Sequence, residues 1–159
     1  MHDLSAADYR SLGDLRFQIR RFIHFSEEAA RAEDLEPQQH QLLLTIRALD
    51  ELHGPTVGQI AAHLLIRHHS AVGLIDRLAE RRLVERVRGD EDRRQVRVRL
   101  TSEGEEKLRR LSGVHRQELL NSGPSLVAAL SRLLQQLRHQ EQNGYAKEKD
   151  VSAVEERHS

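Results

Sequence analysis

The sequence predicts a mainly helical α+β fold, and three observations predict it. Apolar residues recur at helical spacing over long segments near both ends of the chain, and two short helical segments in the middle are joined only by Leu65–Arg67. The period changes to two just once, between residues 83 and 101. With 159 residues, 38% apolar and 31% charged, the chain has the length of one ordinary domain and a lean core. It contains no cysteine, which excludes a disulfide framework, thiol catalysis and Cys-ligated zinc or iron–sulfur clusters. Its apolar stretches, such as Leu64–Ile66 and Leu126–Leu130, fall far short of the ~18–20 residues of a membrane span, and the N-terminus lacks a basic-then-apolar leader pattern. A cytoplasmic chain with no membrane partner is expected.

The first helix is expected from Leu12 to Ala30, where Leu12, Leu15, Ile19, Phe22, Ile23, Ala29 and Ala30 form one stripe. Phe17 and Phe25 fall off it and suggest a second buried surface, a partner subunit or a ligand cavity, with lone exposed apolar residues as the alternative. Pro37 opens the next helix, which runs to His53 before Gly54-Pro55 ends it. Thr56-Val57-Gly58-Gln59 has the form of a capping box and starts a short helix, Val57–Leu64. Another helix follows over residues 68–82, with Ala71, Val72, Leu74, Ile75, Leu78 and Ala79 on its apolar arc. His69, Ser70, Gly73, Asp76, Arg77, Glu80 and Arg81 share the opposite arc. Strands are expected over Leu83–Arg88 and Gln95–Thr101, the second with Val96, Val98 and Leu100 on one face and Arg97 and Arg99 on the other. Gly89–Arg94 is the tip between them. Ser102–Glu105 offers a capping box for a helix through Leu108, Leu111, His115 and Leu119, which breaks at Asn121–Pro124. A last helix carries Leu126, Leu130, Leu133, Leu134 and Leu137, and residues 141–159 are expected to fray into a disordered tail.

The net charge of zero conceals an asymmetry. Residues 1–55 carry six basic and ten acidic side chains, residues 56–101 ten and six, and residues 102–159 nine and nine. All ten basic residues of the middle segment are arginine, whose planar fork suits phosphates and guanine edges. Two helices with a short joint followed by a β-hairpin make a helix-turn-helix with a wing. The polar arc of its second helix is the surface that meets base edges in a major groove, and arginines at a hairpin tip suit the minor groove. His68 projects toward the apolar side, where a packing or capping role and base contact are both open.

Several motifs occur in order: Leu35-Glu36-Pro37-Gln38-Gln39, Ile60-Ala61-x-x-Leu64, Val72-Gly73-Leu74-Ile75-Asp76-Arg77-Leu78, Leu83-Val84-x-Arg86, Asp92-Arg93-Arg94 and Val98-x-Leu100-Thr101-x-x-Gly104. Together they resemble the MarR (multiple antibiotic resistance regulator) family over roughly residues 10–140. The resemblance implies a winged helix-turn-helix lobe at 35–101, with recognition helix 68–82 and wing 83–101. It also implies a helical dimerisation region built from 10–34 and 102–140. It further implies a homodimeric transcriptional repressor of a pseudo-palindromic operator in double-stranded DNA, with no enzymatic activity and no cofactor. The expected DNA-facing set is Thr56, Arg67, His68, His69, Ser70, Gly73, Arg77, Asp92, Arg93 and Arg94, with Asp92 holding Arg94 for the minor groove. Many members bind a small aromatic or phenolic acid between the two regions, for which Phe17, Arg21, Phe22 and His40 are the corresponding candidates. Three positions depart from the family pattern. Arg82 stands where glycine usually closes the recognition helix, Gly73 replaces a longer polar side chain, and Glu36 occupies an N-cap usually taken by Thr or Ser.

Two other classes compete. Ten histidines raise a metal-responsive regulator, although no two stand at i, i+3 or i+4 and there is no H-E-x-x-H, so only a site assembled from distant histidines such as His24, His40 and His115 remains open. A winged helix used for protein contacts is the other. No nucleophile is paired with a base in the sequence, so no catalytic or metal residue is assigned.

Overall fold

The computed structural model describes residues 4–50, 54–88 and 96–155, and of residues 88 and 141–155 only the backbone. The element order is α1 (Ala6–Ala32), α2 (Pro37–Ala48), α3 (Val57–His63), α4 (His68–Glu80), β1 (Val84–Arg88), β2 (Val96–Leu100) and α5 (Ser102–Glu155). The chain divides into two compact units, residues 24–117 and residues 1–23 with 118–159.

In the central unit, one apolar side of each helix supplies the core: Leu42, Leu43 and Ile46 from α2, Ile60 from α3, and Leu74, Ile75 and Leu78 from α4. Leu83, Val84, Val98, Leu108 and Leu111 close it. Each fully buried leucine contributes about 1.5–3 kcal/mol of transfer free energy. β1 and β2 pair antiparallel, with Val84 opposite Leu100 and Arg86 opposite Val98. Val98 is fully buried, whereas Val96 is 40% exposed, so the apolar face expected for β2 reaches the core only toward its base. Residues 54–56 add a further edge: Val98 N–H donates to Pro55 O at 3.0 Å, Arg97 donates to Gly54 O at 2.9 Å, and Thr56 bridges Arg97. Gly54 has φ of +78°, and a Cβ there would stand 2.5 Å from Val98 O, so this close approach requires glycine.

Three helices of this unit end in the same way. Leu35 N–H bonds Ala30 O after α1, Ile66 N–H bonds Ala61 O after α3, and Leu83 N–H bonds Leu78 O after α4, each the long bond of a Schellman closure. The left-handed residue is Asp34 (φ 57°), Leu65 (φ 55°) or Arg82 (φ 58°), and none is glycine. The absence of glycine at Arg82 therefore does not change how α4 ends. The carbonyl of Arg82 accepts the Thr101 hydroxyl at 2.6 Å, which fixes the strained residue from outside.

Thr101, not Ser102, caps α5. Its Oγ1 accepts the Gly104 N–H at 3.1 Å, and its own N–H donates to Leu83 O. At the entry to α2, Gln39 Oε1 accepts the Glu36 N–H at 3.0 Å, so glutamate is accommodated at this N-cap.

In the terminal unit, α1 begins at Ala6, earlier than the apolar stripe indicates. Asp8 accepts from the Ser5 N–H (2.8 Å) and hydroxyl (2.7 Å), and these bonds hold its carboxyl below the usual carboxylate range. Ser5-x-x-Asp8 is the start signal the stripe conceals. Gln140 donates to the same carboxylate at 2.7 Å, and Arg132 pairs with Asp14. No break occurs at Asn121–Pro124: α5 passes through Pro124 without interruption and its backbone continues to Glu155. The missing N–H of Pro124 removes one rung of the ladder, while Ser122 Oγ donates back to Glu118 O at 3.0 Å.

Candidate nucleic-acid interface

The polar arc of α4 is presented by burial of its opposite side: Ala71, Ile75 and Leu78 are fully buried and Leu74 nearly so, while Arg67, His68, His69, Ser70 and Arg77 are exposed. Arg67 is the N-cap of α4 with extended backbone (ψ 149°), and its side chain caps nothing. Thr56 caps α3: its Oγ1 accepts the Gln59 N–H at 3.3 Å, and its own N–H donates to Gln59 Oε1 at 2.8 Å. Thr56 and His68 meet at a cleft of about 410 Å³, which is also lined by Val57, Gly58, Val72, Arg86 and Val96. The exposure of His68 removes the packing role that the sequence left open.

The arginines of the basic segment sort into two groups. Arg86 on β1 pairs with Asp76 on α4 at 2.7 Å, which ties the wing to the helix beside it. Arg81 donates to Asp34 Oδ2 (2.8 Å), Asp34 O (2.6 Å) and Gln39 Oε1 (3.0 Å), fastening the end of α4 to the α1–α2 corner. Arg97 serves Gly54 O. These side chains are spent on architecture, so Asp76 and Arg81, placed on the polar arc by periodicity, are not free there. Arg67, Arg77 and Arg82 are exposed, and none has an ion-pair partner among the described residues. Asp92, Arg93 and Arg94 lie outside the described residues.

The candidate ligand residues fall in different units. Phe17 (53% exposed), Arg21 and Phe22 belong to the terminal unit, and His40 belongs to the central one. His40 is 5% exposed and stacks on His115, with ring centroids 4.8 Å apart. Burial, reinforced by His115, pushes the His40 imidazole down to about 4. His115 bonds Leu111 O through Nδ1 and Ser26 Oγ through Nε2, both at 2.7 Å, and Phe25 packs edge-on against it at 5.9 Å. The sequence hints at this junction through the off-stripe Phe25 and through His40 and His115, which it groups only as distant histidines open to a metal. Among the described residues there is no group of three or more His, Asp or Glu able to hold a metal ion, and no helix is long and apolar enough to cross a membrane.

Comparison with known proteins matches residues 33–95 to the model of the MarR family. A curated relative, the uncharacterized HTH-type transcriptional regulator YsmB of Bacillus subtilis (strain 168), is 30% identical over 96 residues, covering 58% of this chain and 66% of YsmB. The chain thus matches just under two thirds of that relative's length. Among solved structures, a mutant of E. coli MarR complexed with operator DNA superposes with a TM-score of 0.59 at 22% identity, over 77% of this chain and 89% of that one. Bordetella bronchiseptica BpsR, described with regulation of its DNA binding by 6-hydroxynicotinic acid, gives 0.59 at 21% identity over 78% and 95%. At these identities the likeness is one of fold.

Proposed function

We propose that this chain, whose residues 33–95 belong to the MarR family, is a transcription regulator that binds duplex DNA as a homodimer and represses by occupying a pseudo-palindromic operator. The observation that carries the reading is the division of labour on α4. Its apolar side is sealed in the core and its paired charges hold the wing and the α1–α2 corner, while Arg67, His69, Ser70 and Arg77 stand exposed on one accessible surface. With Thr56, His68, Gly73 and the wing residues Asp92, Arg93 and Arg94, these form the proposed DNA-facing set. Exposed guanidinium groups beside a helix of groove-fitting size bind phosphates and release their counterions, so affinity should fall steeply with salt.

The terminal unit supports the dimer. Leu12, Ile19 and Ile23 on α1 and Leu120, Val127 and Leu134 on α5 are each 39–66% exposed, and the buried Gln136 Oε1 has no hydrogen-bond partner among the described residues. Large apolar side chains left open on two helices are the pattern of an interface. For a ligand, the reading is a small aromatic acid that lowers DNA affinity by preferring the spacing of recognition helices that does not fit DNA.

The deciding experiment combines sedimentation with retardation of a randomised duplex pool at two salt concentrations. A dimer that retards DNA, with log K falling by about 0.9 per contacted phosphate per log unit of salt, is expected. A monomer, or failure to retard any duplex at low salt, refutes the reading and favours a protein-contact module.

A further inference from the structure

Gly73 and Arg77 stand one helical turn apart on the open arc of α4. A helical side chain leans toward the N-terminus, over the residue four positions earlier. For Arg77 that residue is Gly73, and a Cβ placed there would lie 3.6 Å from Arg77 Nη1, with nothing else within 4 Å apart from the neighbouring residues and the helix's own backbone. The guanidinium therefore lies along the helix above bare backbone, in the volume a side chain at position 73 would fill. Of the other charges on the arc, Asp76 is held by Arg86 and Arg81 by Asp34 and Gln39, while Glu80 is exposed on the turn C-terminal to Arg77, away from Gly73.

We infer that Gly73 is a seat for Arg77, and that Arg77, held across it, is the specificity-determining side chain of α4, reading a guanine edge in the major groove. The inference rests on the DNA-binding reading above. Its chemistry is that of a planar fork with parallel donors, which matches the O6 and N7 acceptors of guanine and no other base edge as well. A lysine offers a point charge without that geometry. Glycine is a poor helix residue, and its place in the middle of α4 is accounted for by clearance. A methyl group at position 73 would make only ordinary contact with Nη1, whereas a longer side chain would take the guanidinium's volume and turn Arg77 to the flank, where phosphates are the available partners.

The test is selection from a randomised duplex pool by the full chain as wild type, Gly73→Gln, Arg77→Ala and Arg77→Lys. Wild type is expected to select one motif with a guanine at the same position in each half-site. In Gly73→Gln and both Arg77 variants, preference at that position should fall on the order of 10- to 100-fold, with the remaining positions and the salt dependence retained. If Arg77→Ala selects the wild-type motif with undiminished stringency, the inference fails. It also fails if Arg77→Ala weakens binding uniformly across sequences with a shallower salt slope, the signature of a phosphate contact. Should melting show that Gly73→Gln is not folded, the Arg77 pair decides. A wild type that retains no duplex sinks the DNA-binding reading itself, an outcome distinct from an unchanged motif.

Discussion

Asp76 and Arg86 meet at 2.7 Å, a carboxylate on α4 gripping a guanidinium on β1. Both are partly exposed, at 46% and 40%, so the pair adds little to stability, about 0.2–1 kcal/mol. Its effect is on orientation, because the wing has no other described ion pair to α4. Asp76→Ala and Arg86→Ala should each leave the melting temperature within a few degrees of wild type while weakening DNA binding several-fold. The double variant should be no worse than either single one, and strictly additive losses in affinity would show that the two act separately.

Left-handed leucine at the α3–α4 turn should be improvable. Leu65 is 92% exposed at φ 55°, so Leu65→Gly gives up almost no burial and relieves a conformation that costs an L-residue about 1–2 kcal/mol. Denaturant unfolding should show a stabilisation of about 1 kcal/mol after the greater chain entropy of glycine is offset. A destabilised variant would mean that the exposed leucine has a contact elsewhere.

Gly104 should tolerate nothing larger. A Cβ there would stand 2.0 Å from Leu83 O, a backbone atom already accepting the Thr101 N–H at the junction of wing and α5. Gly104→Ala should cost about 2–3 kcal/mol, in the range of overpacked sites. A melting temperature equal to that of wild type would contradict the close approach.

The stacked histidines make stability depend on pH. His40 is neutral in the folded chain down to about pH 4, whereas its ordinary value is 6.5. Below pH 6.5 the unfolded chain takes up a proton that the folded one refuses, so the contribution present at neutral pH is progressively lost between pH 6.5 and about 4. Urea unfolding at pH 7 and pH 5 should differ by on the order of 2 kcal/mol from this residue. His40→Leu should flatten the profile, and an unaltered slope in that variant would assign the effect to other groups.

Periodicity and caps suffice to place α3, α4, both strands and the start of α2 to within a few residues, because apolar spacing and start signals such as Thr56-x-x-Gln59 are local properties of the chain, though α2 ends at Ala48 and not at His53. The family resemblance is likewise a matter of local motifs in order. The same reasoning breaks down at Pro124, where propensity argues for a break and α5 continues, and at Thr101, whose hydroxyl is recruited by Arg82 O from across the fold. It also breaks down over the roles of the arginines. Ten of them in one segment look alike in sequence, since charge and spacing do not say which guanidinium finds a carboxylate. Only when the chain folds do Asp34, Asp76 and Gly54 O come within reach of Arg81, Arg86 and Arg97, and that pairing over long sequence distances leaves Arg67 and Arg77 open to a partner.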